Sequence, residues 1–152
     1  MSDQARCIVL RDNKILFIQQ MIHGQLRHVF VGGGIEYGET PHEAALRELE
    51  EEANVKGKIV FGPAIYYSEK KEYIFIVSIS DTAQPTLGYD PELPIDKQAL
   101  KGLIWRDAIK EVELFNEIDC KFFQALINEG KKQGINEEWM TTLEKIVSHH
   151  LS

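Results

Sequence analysis

Basic residues are the minority in this chain. Its 152 residues hold 17 Lys and Arg against 24 Asp and Glu, a formal charge of −7, so the broad cationic footprint that grips duplex nucleic acid is missing. Cysteine is scarce. Cys7 falls in an apolar strand-like run and Cys120 in a helical one, no close cysteine pair suggests zinc, and both read as reduced core thiols. The longest apolar run, Tyr73 to Val77, is far below the ~20 residues of a membrane-crossing helix. No apolar stretch follows the start Met1 to Arg6, so a cytoplasmic location with no membrane partner is expected. Repeats and low-complexity segments are absent too. At 43% hydrophobic and 27% charged, the chain lies far from the composition of disordered proteins and is long enough to bury a core. One domain over residues 1–152 is expected, without a linker. An anionic ligand would need a bound cation or a small basic pocket to offset the acidic surroundings.

Arg6 to Arg11 and Lys14 to Met21 are strand-like runs separated by Asp12-Asn13, a pair suited to the positive φ angles of a tight hairpin. Arg27 to Val31 is a third strand-like piece, which leads into a glycine-rich loop beginning Gly32-Gly33-Gly34. Thr40-Pro41-His42-Glu43 combines an N-cap, a first-turn proline and a third-position glutamate, a capping box that opens a helix expected to reach Ala53. Asn54 can take the left-handed conformation that ends it. Val55 to Ser68 and Glu72 to Ser80 are expected as strands, the first bulged at Gly62-Pro63. Residues 81–99 hold Pro85, Pro91 and Pro94 without periodicity and form a candidate substrate lid. A final strand, Leu100 to Trp105, precedes helical stretches at Asp107 to Val112, Ile118 to Glu129 and Asn136 to His150. This mixture predicts an α/β sandwich, a mixed sheet with helices on both faces.

Along the first helix, at ~100° per residue, Ala45, Leu46, Leu49 and Ala53 share an apolar arc. Glu48, Glu51 and Glu52 share the neighbouring one. Like charges at this spacing destabilise a helix unless a cation sits among them. All-oxygen ligation suits Mg²⁺ or Mn²⁺, which grip phosphates and make water a better nucleophile. A solvated acidic face is the competing reading. The spacing decides against it here, because Glu39 lies nine residues before Glu48, Arg47 sits among the carboxylates, and the glycines precede them at a fixed interval.

Gly33, five residues, Glu39, seven residues, then Arg47-Glu48-Leu49-Glu50-Glu51-Glu52-Ala53-Asn54-Val55 resembles the signature box of the Nudix hydrolases, MutT-like proteins. Asn54 stands where the family's usual glycine would be. Val31 and His28 also replace a common Pro and Trp, and His28 reads as a strand side chain rather than a base. The resemblance implies an α/β/α sandwich and a metal-dependent hydrolase. Its substrate would be a nucleoside diphosphate linked to another moiety: a nucleoside triphosphate, a dinucleoside polyphosphate or a nucleotide sugar. It implies Glu48 and Glu52 as metal ligands, the Gly32 carbonyl as a further one, Glu51 as ligand or base, Arg47 pairing with Glu39, and Gly33 and Gly34 in the substrate loop. Glu92 is the acidic residue of the 81–99 segment expected to complete the site.

The rival from another class is a nucleotide-binding sensor or interaction module on the same fold, without turnover. Tyr73 reads as ordinary core. Trp139, Leu143, Ile146 and Val147 recur at helical spacing, so residues 136–150 form an amphipathic C-terminal extension that packs on its own domain or on a second copy, giving a monomer or a homodimer. His149-His150 is expected to fray.

Overall fold

The computed structural model describes residues 3–88 and 100–151. Strands β1 (Gln4–Arg11) and β2 (Lys14–Ile22) form the opening hairpin, turned by Asp12 and Asn13 at φ 54° and 63°. Next comes β3 (Gln25–Gly34), longer than expected: Gly32, Gly33 and Gly34 are not loop but strand, because they pair with Arg6, Ala5 and Gln4 of β1. Helix α1 (Pro41–Ala53) follows, then β4 (Gly57–Tyr67), β5 (Lys71–Ile79), β6 (Leu100–Asp107), α2 (Glu117–Lys132) and α3 (Glu138–Leu151). The six strands make one mixed sheet in the order β4-β5-β1-β3-β2-β6. The β1–β5 pair is parallel and the other pairs are antiparallel. The register of β4 against β5 shifts around Gly62-Pro63, as the sequence suggests.

Two expectations fail towards the C-terminus. Asp107 to Val112 is not a helix: Asp107 ends β6 and its Oδ1 accepts from the Ile109 and Lys110 amides, a local turn that competes with helix formation. A short 3₁₀ turn at Val112–Leu114 follows. Nor does the chain fray at His149-His150, since α3 runs to Leu151 and His150 Nε2 donates to the Val112 carbonyl at 2.9 Å.

Alternation along the strands sorts the side chains into two layers. Ala5, Cys7, Val9, Leu16, Ile18, Val31, Phe75 and Val77 face α1, packing on Ala44, Ala45, Leu49 and Ala53. Tyr73 is part of this layer, as expected. Ile8, Phe17, Phe30, Ile74 and Ile76 face the other way, onto α2 and α3. The stripe of α3 is therefore buried on its own chain, with Trp139, Met140, Leu143, Ile146 and Val147 all buried. The Cys7 thiol is fully buried and donates to the Ala45 carbonyl of α1 at 3.2 Å. Burial pushes its pKa far up, beyond the range in which thiols ionise. No helix among the described residues is long and apolar enough to cross a membrane.

Candidate active site

Helix α1 starts where the sequence places it. Thr40 accepts from the Glu43 amide, and Glu43 reaches back to the Thr40 amide. Its other end closes on Asn54, left-handed at φ 55°. The segment after β5 covers that end: the amides of Thr86 and Gly88 donate to the carbonyls of Ala53 and Glu52, and Asn54 Nδ2 donates to the Thr86 carbonyl at 2.9 Å. Residues 81–88 are thus tied to α1, satisfying carbonyls that a helix leaves unpaired. The rest of the candidate lid, residues 89–99 with Glu92, lies outside the described residues. Asn54→Ala is expected to lower stability by about 1–2 kcal/mol, through left-handed strain and the lost side-chain bonds. Asn54→Gly should cost less. Thermal melts of both variants check the order.

Arg47 organises the face of α1 that looks towards β3. Its Nε and Nη2 hold the two oxygens of Glu39 at 2.6 and 3.0 Å, and Nη2 also donates to the Gly34 carbonyl. Nη1 reaches Glu48 and Glu51, both at 3.1 Å. This two-armed grip holds the Glu39 carboxyl below the usual carboxylate range and pushes the Arg47 guanidinium still further up. The expected Arg47–Glu39 pairing is therefore present, joining the loop after β3 to the helix.

The carboxylates divide in two. Glu48 and Glu52 are partly buried, and burial is the main cause that raises both, Glu52 to about 7. Glu51 stands outside at the rim, on Arg47. Glu48, Glu51 and Glu52 differ in exposure, and among the described residues no three acidic, histidine or cysteine side chains converge into a ready cation cage. Arg47 braces the inner Glu48 and the rim Glu51 alike. Gly32 meets Glu52 through its amide, which donates to Oε1 at 2.8 Å. At Gly33, a Cβ would come within 2.7 Å of the Glu48 carboxylate. A glycine is thus needed for Glu48 to lie against the strand.

A divalent cation suits this donor set. Two half-buried carboxylates with raised proton affinity are costly to keep charged alone, and hard oxygen donors are what Mg²⁺ and Mn²⁺ prefer.

Beyond the sheet from α1 lies a cleft of about 800 Å³, walled by Phe30, Tyr66 and Phe122 and lined by Arg6, Glu72 and His28. His28 Nε2 is 2.9 Å from Asp119 Oδ2, and Asn116 is also in reach. His28 is a strand side chain, as expected, but sequence reasoning did not find its partner or the cleft. The capping box of α2, Asn116 with Asp119, was the available signal.

A mixed sheet between one helix and a helix pair, with an arginine-braced acidic helix against a glycine strand, defines an α/β sandwich. The NUDIX domain model matches residues 1–118, and the chain belongs to the Nudix hydrolase family, whose members are pyrophosphohydrolases that generally need divalent metal ions. It is 25% identical over 130 residues to diphosphoinositol polyphosphate phosphohydrolase 3-alpha of Mus musculus, covering 81% of this chain and 76% of that one. Among solved structures, a NUDIX hydrolase from Nitrosomonas europaea matches with a TM-score of 0.63 at 20% identity, covering 88% of this chain and 73% of that one. An ADP-ribose pyrophosphatase from Streptococcus suis matches at 0.61 and 10% identity, covering 84% and 91%. These two likenesses show the fold.

Proposed function

We propose that this chain, as one domain with residues 136–150 as its helical extension, hydrolyses the phosphoanhydride bond of a nucleoside diphosphate linked to another moiety. The observation that carries the reading is the pair of inner carboxylates, Glu48 and Glu52, set against Gly32 and Gly33. Glu48 and Glu52 would hold Mg²⁺ or Mn²⁺, with the Gly32 carbonyl as the backbone donor. When bound, such a cation neutralises phosphate charge and makes water a stronger nucleophile.

The remaining work belongs to the protein's own groups. Arg47, fixed by Glu39, holds Glu48 and Glu51 in place before substrate arrives, so that little reorganisation is left for the reaction. Glu51, exposed at the rim, is placed to take the proton of the attacking water at one of its carboxylate oxygens, or to serve as a further ligand. Gly33, with Gly34 in the proposed substrate loop, lets Glu48 lie against the strand where phosphate would approach it. The leaving group departs as a phosphate, which needs little protonation.

The substrate classes to test are nucleoside triphosphates, dinucleoside polyphosphates and nucleotide sugars. ADP-ribose and a diphosphoinositol polyphosphate join them, because similar proteins carry those names. Cleavage into two phosphorylated products with Mg²⁺ or Mn²⁺, followed by product chromatography and absent in EDTA, is expected for at least one. Binding of these compounds without turnover of any would instead favour the sensor reading.

A further inference from the structure

The two arginines near the β3 glycines are held very differently. Arg47 makes a close two-armed pair with Glu39, at 2.6 and 3.0 Å. Arg6, on the cleft side of the sheet, touches Glu72 at 3.5 Å, the Phe30 carbonyl at 3.4 Å and Gln4 at 3.3 Å. All three lie at the long end for N–H···O bonds, which centre near 2.9–3.0 Å. Its pair with Glu72 uses one oxygen only, and the second, Glu72 Oε2, is buried without a partner. A guanidinium offers five N–H donors in a planar fork that matches phosphate, so Arg6 keeps two of them beyond its three long bonds.

Its position gives that capacity a use. Arg6 pairs in register with Gly32, and a side chain at Gly32 would run into the Ala5 carbonyl and then into the stem and backbone of Arg6. One residue on, Gly33 faces the opposite way, onto the Glu48 carboxylate. The strand is therefore bare on both sides at this point, with Arg6 on the cleft side and Glu48 and Glu52 on the other. The positive charge of Arg6 is felt at both carboxylates, where it opposes the effect of burial.

We propose that Arg6 is a substrate-binding residue, whose guanidinium takes the non-bridging oxygens of a phosphoryl group at the wall of the cleft, across β3 from Glu48 and Glu52. This rests on the hydrolase reading above for the identity of the anion. Glu72 and Gln4 hold the guanidinium in place, and their weak bonds to it are exchanged for charge-assisted ones when phosphate arrives. Such a residue also answers the charge problem of an acidic protein with an anionic substrate, from the side the cation does not reach.

The test compares wild type with Arg6→Gln by calorimetric titration of the non-hydrolysable α,β-methylene-ADP and α,β-methylene-UDP in Mg²⁺, and of Mg²⁺ alone. Arg6→Gln is expected to weaken the better probe roughly 10- to 100-fold, the scale of lost charged hydrogen bonds. Mg²⁺ alone should bind the variant as tightly as wild type or more tightly, since a cation near Glu48 and Glu52 has gone. A purely structural Arg6 would weaken probe and Mg²⁺ together, and that result overturns the proposal. So does probe affinity within twofold of wild type, or a wild-type chain that binds neither probe. Turnover is measured separately. Hydrolysis whose KM ignores Arg6→Gln removes the role of Arg6 and leaves the hydrolase, whereas probe binding that needs Arg6 in a chain without turnover removes the hydrolase and keeps the residue.

Discussion

Glu52→Gln is expected to lower kcat roughly a thousandfold while leaving the metal-free fold as stable as wild type or more so. The first half follows from its proposed place as a cation ligand, because removing a group that stabilises the charge of the transition state costs on this scale. The second half follows from burial, which raises the Glu52 carboxyl from 4.5 to about 7. Between these values the folded chain holds a proton that the unfolded chain has lost, so the stability this group confers is present in acid and lost as pH rises through the window. The loss amounts to at most about 3 kcal/mol above pH 7. Glutamine cannot ionise and still offers an oxygen to the Gly32 amide. Melting temperatures in EDTA at pH 5 and pH 8 should therefore differ less for Glu52→Gln than for wild type. A variant with wild-type kcat at saturating Mg²⁺ would remove Glu52 from the site.

Ending the chain after Gly134 is expected to abolish cooperative folding. The cut removes Trp139, Met140, Leu143, Ile146 and Val147, each buried and each contributing roughly 1.5–3 kcal/mol. Together they approach about 10 kcal/mol, comparable to the whole net stability of an ordinary domain. The family match ends at residue 118, yet the layer beneath the cleft is built from α2 and α3, which lie almost wholly beyond it. Near-ultraviolet circular dichroism and a thermal melt decide the matter. An unchanged melting temperature would show that the stripe of α3 adds nothing, and light scattering on the full chain reports separately whether two copies associate.

The acidic helix was legible in the sequence because its signals are local. Thr40, Pro41 and Glu43 specify its start within four residues, Asn54 its end, and the spacing of Glu39 and Arg47 their pairing. What stayed hidden depends on partners far away in the chain. That Gly32 to Gly34 are strand follows from β1, nearly thirty residues earlier, a pairing that no glycine-rich run announces. Arg6 and Glu72 meet only because β1 and β5 lie parallel, and His28 meets Asp119 across an interval of 91 residues. The division of the three carboxylates also escaped helical geometry, since it is set by which of them lie against the β3 glycines. Asp107 misled for the opposite reason: its side chain bonds locally to two amides, a start signal that in this place leads only to a turn.

The hydrogen bond from Cys7 to Ala45 places a thiol at the seam between the sheet and the helix that carries the acidic residues. Such a thiol cannot meet an alkylating reagent until that seam parts, so its labelling rate counts openings of this layer. Cys120, only half buried on α2, should react sooner, though burial and Asp119 raise its thiol too. The ratio of the two rates follows how often α1 lifts from the sheet. Measured with and without Mg²⁺, the same ratio tests whether the cation holds the layer of Glu48 and Glu52 shut, in a chain to which no probe has been added.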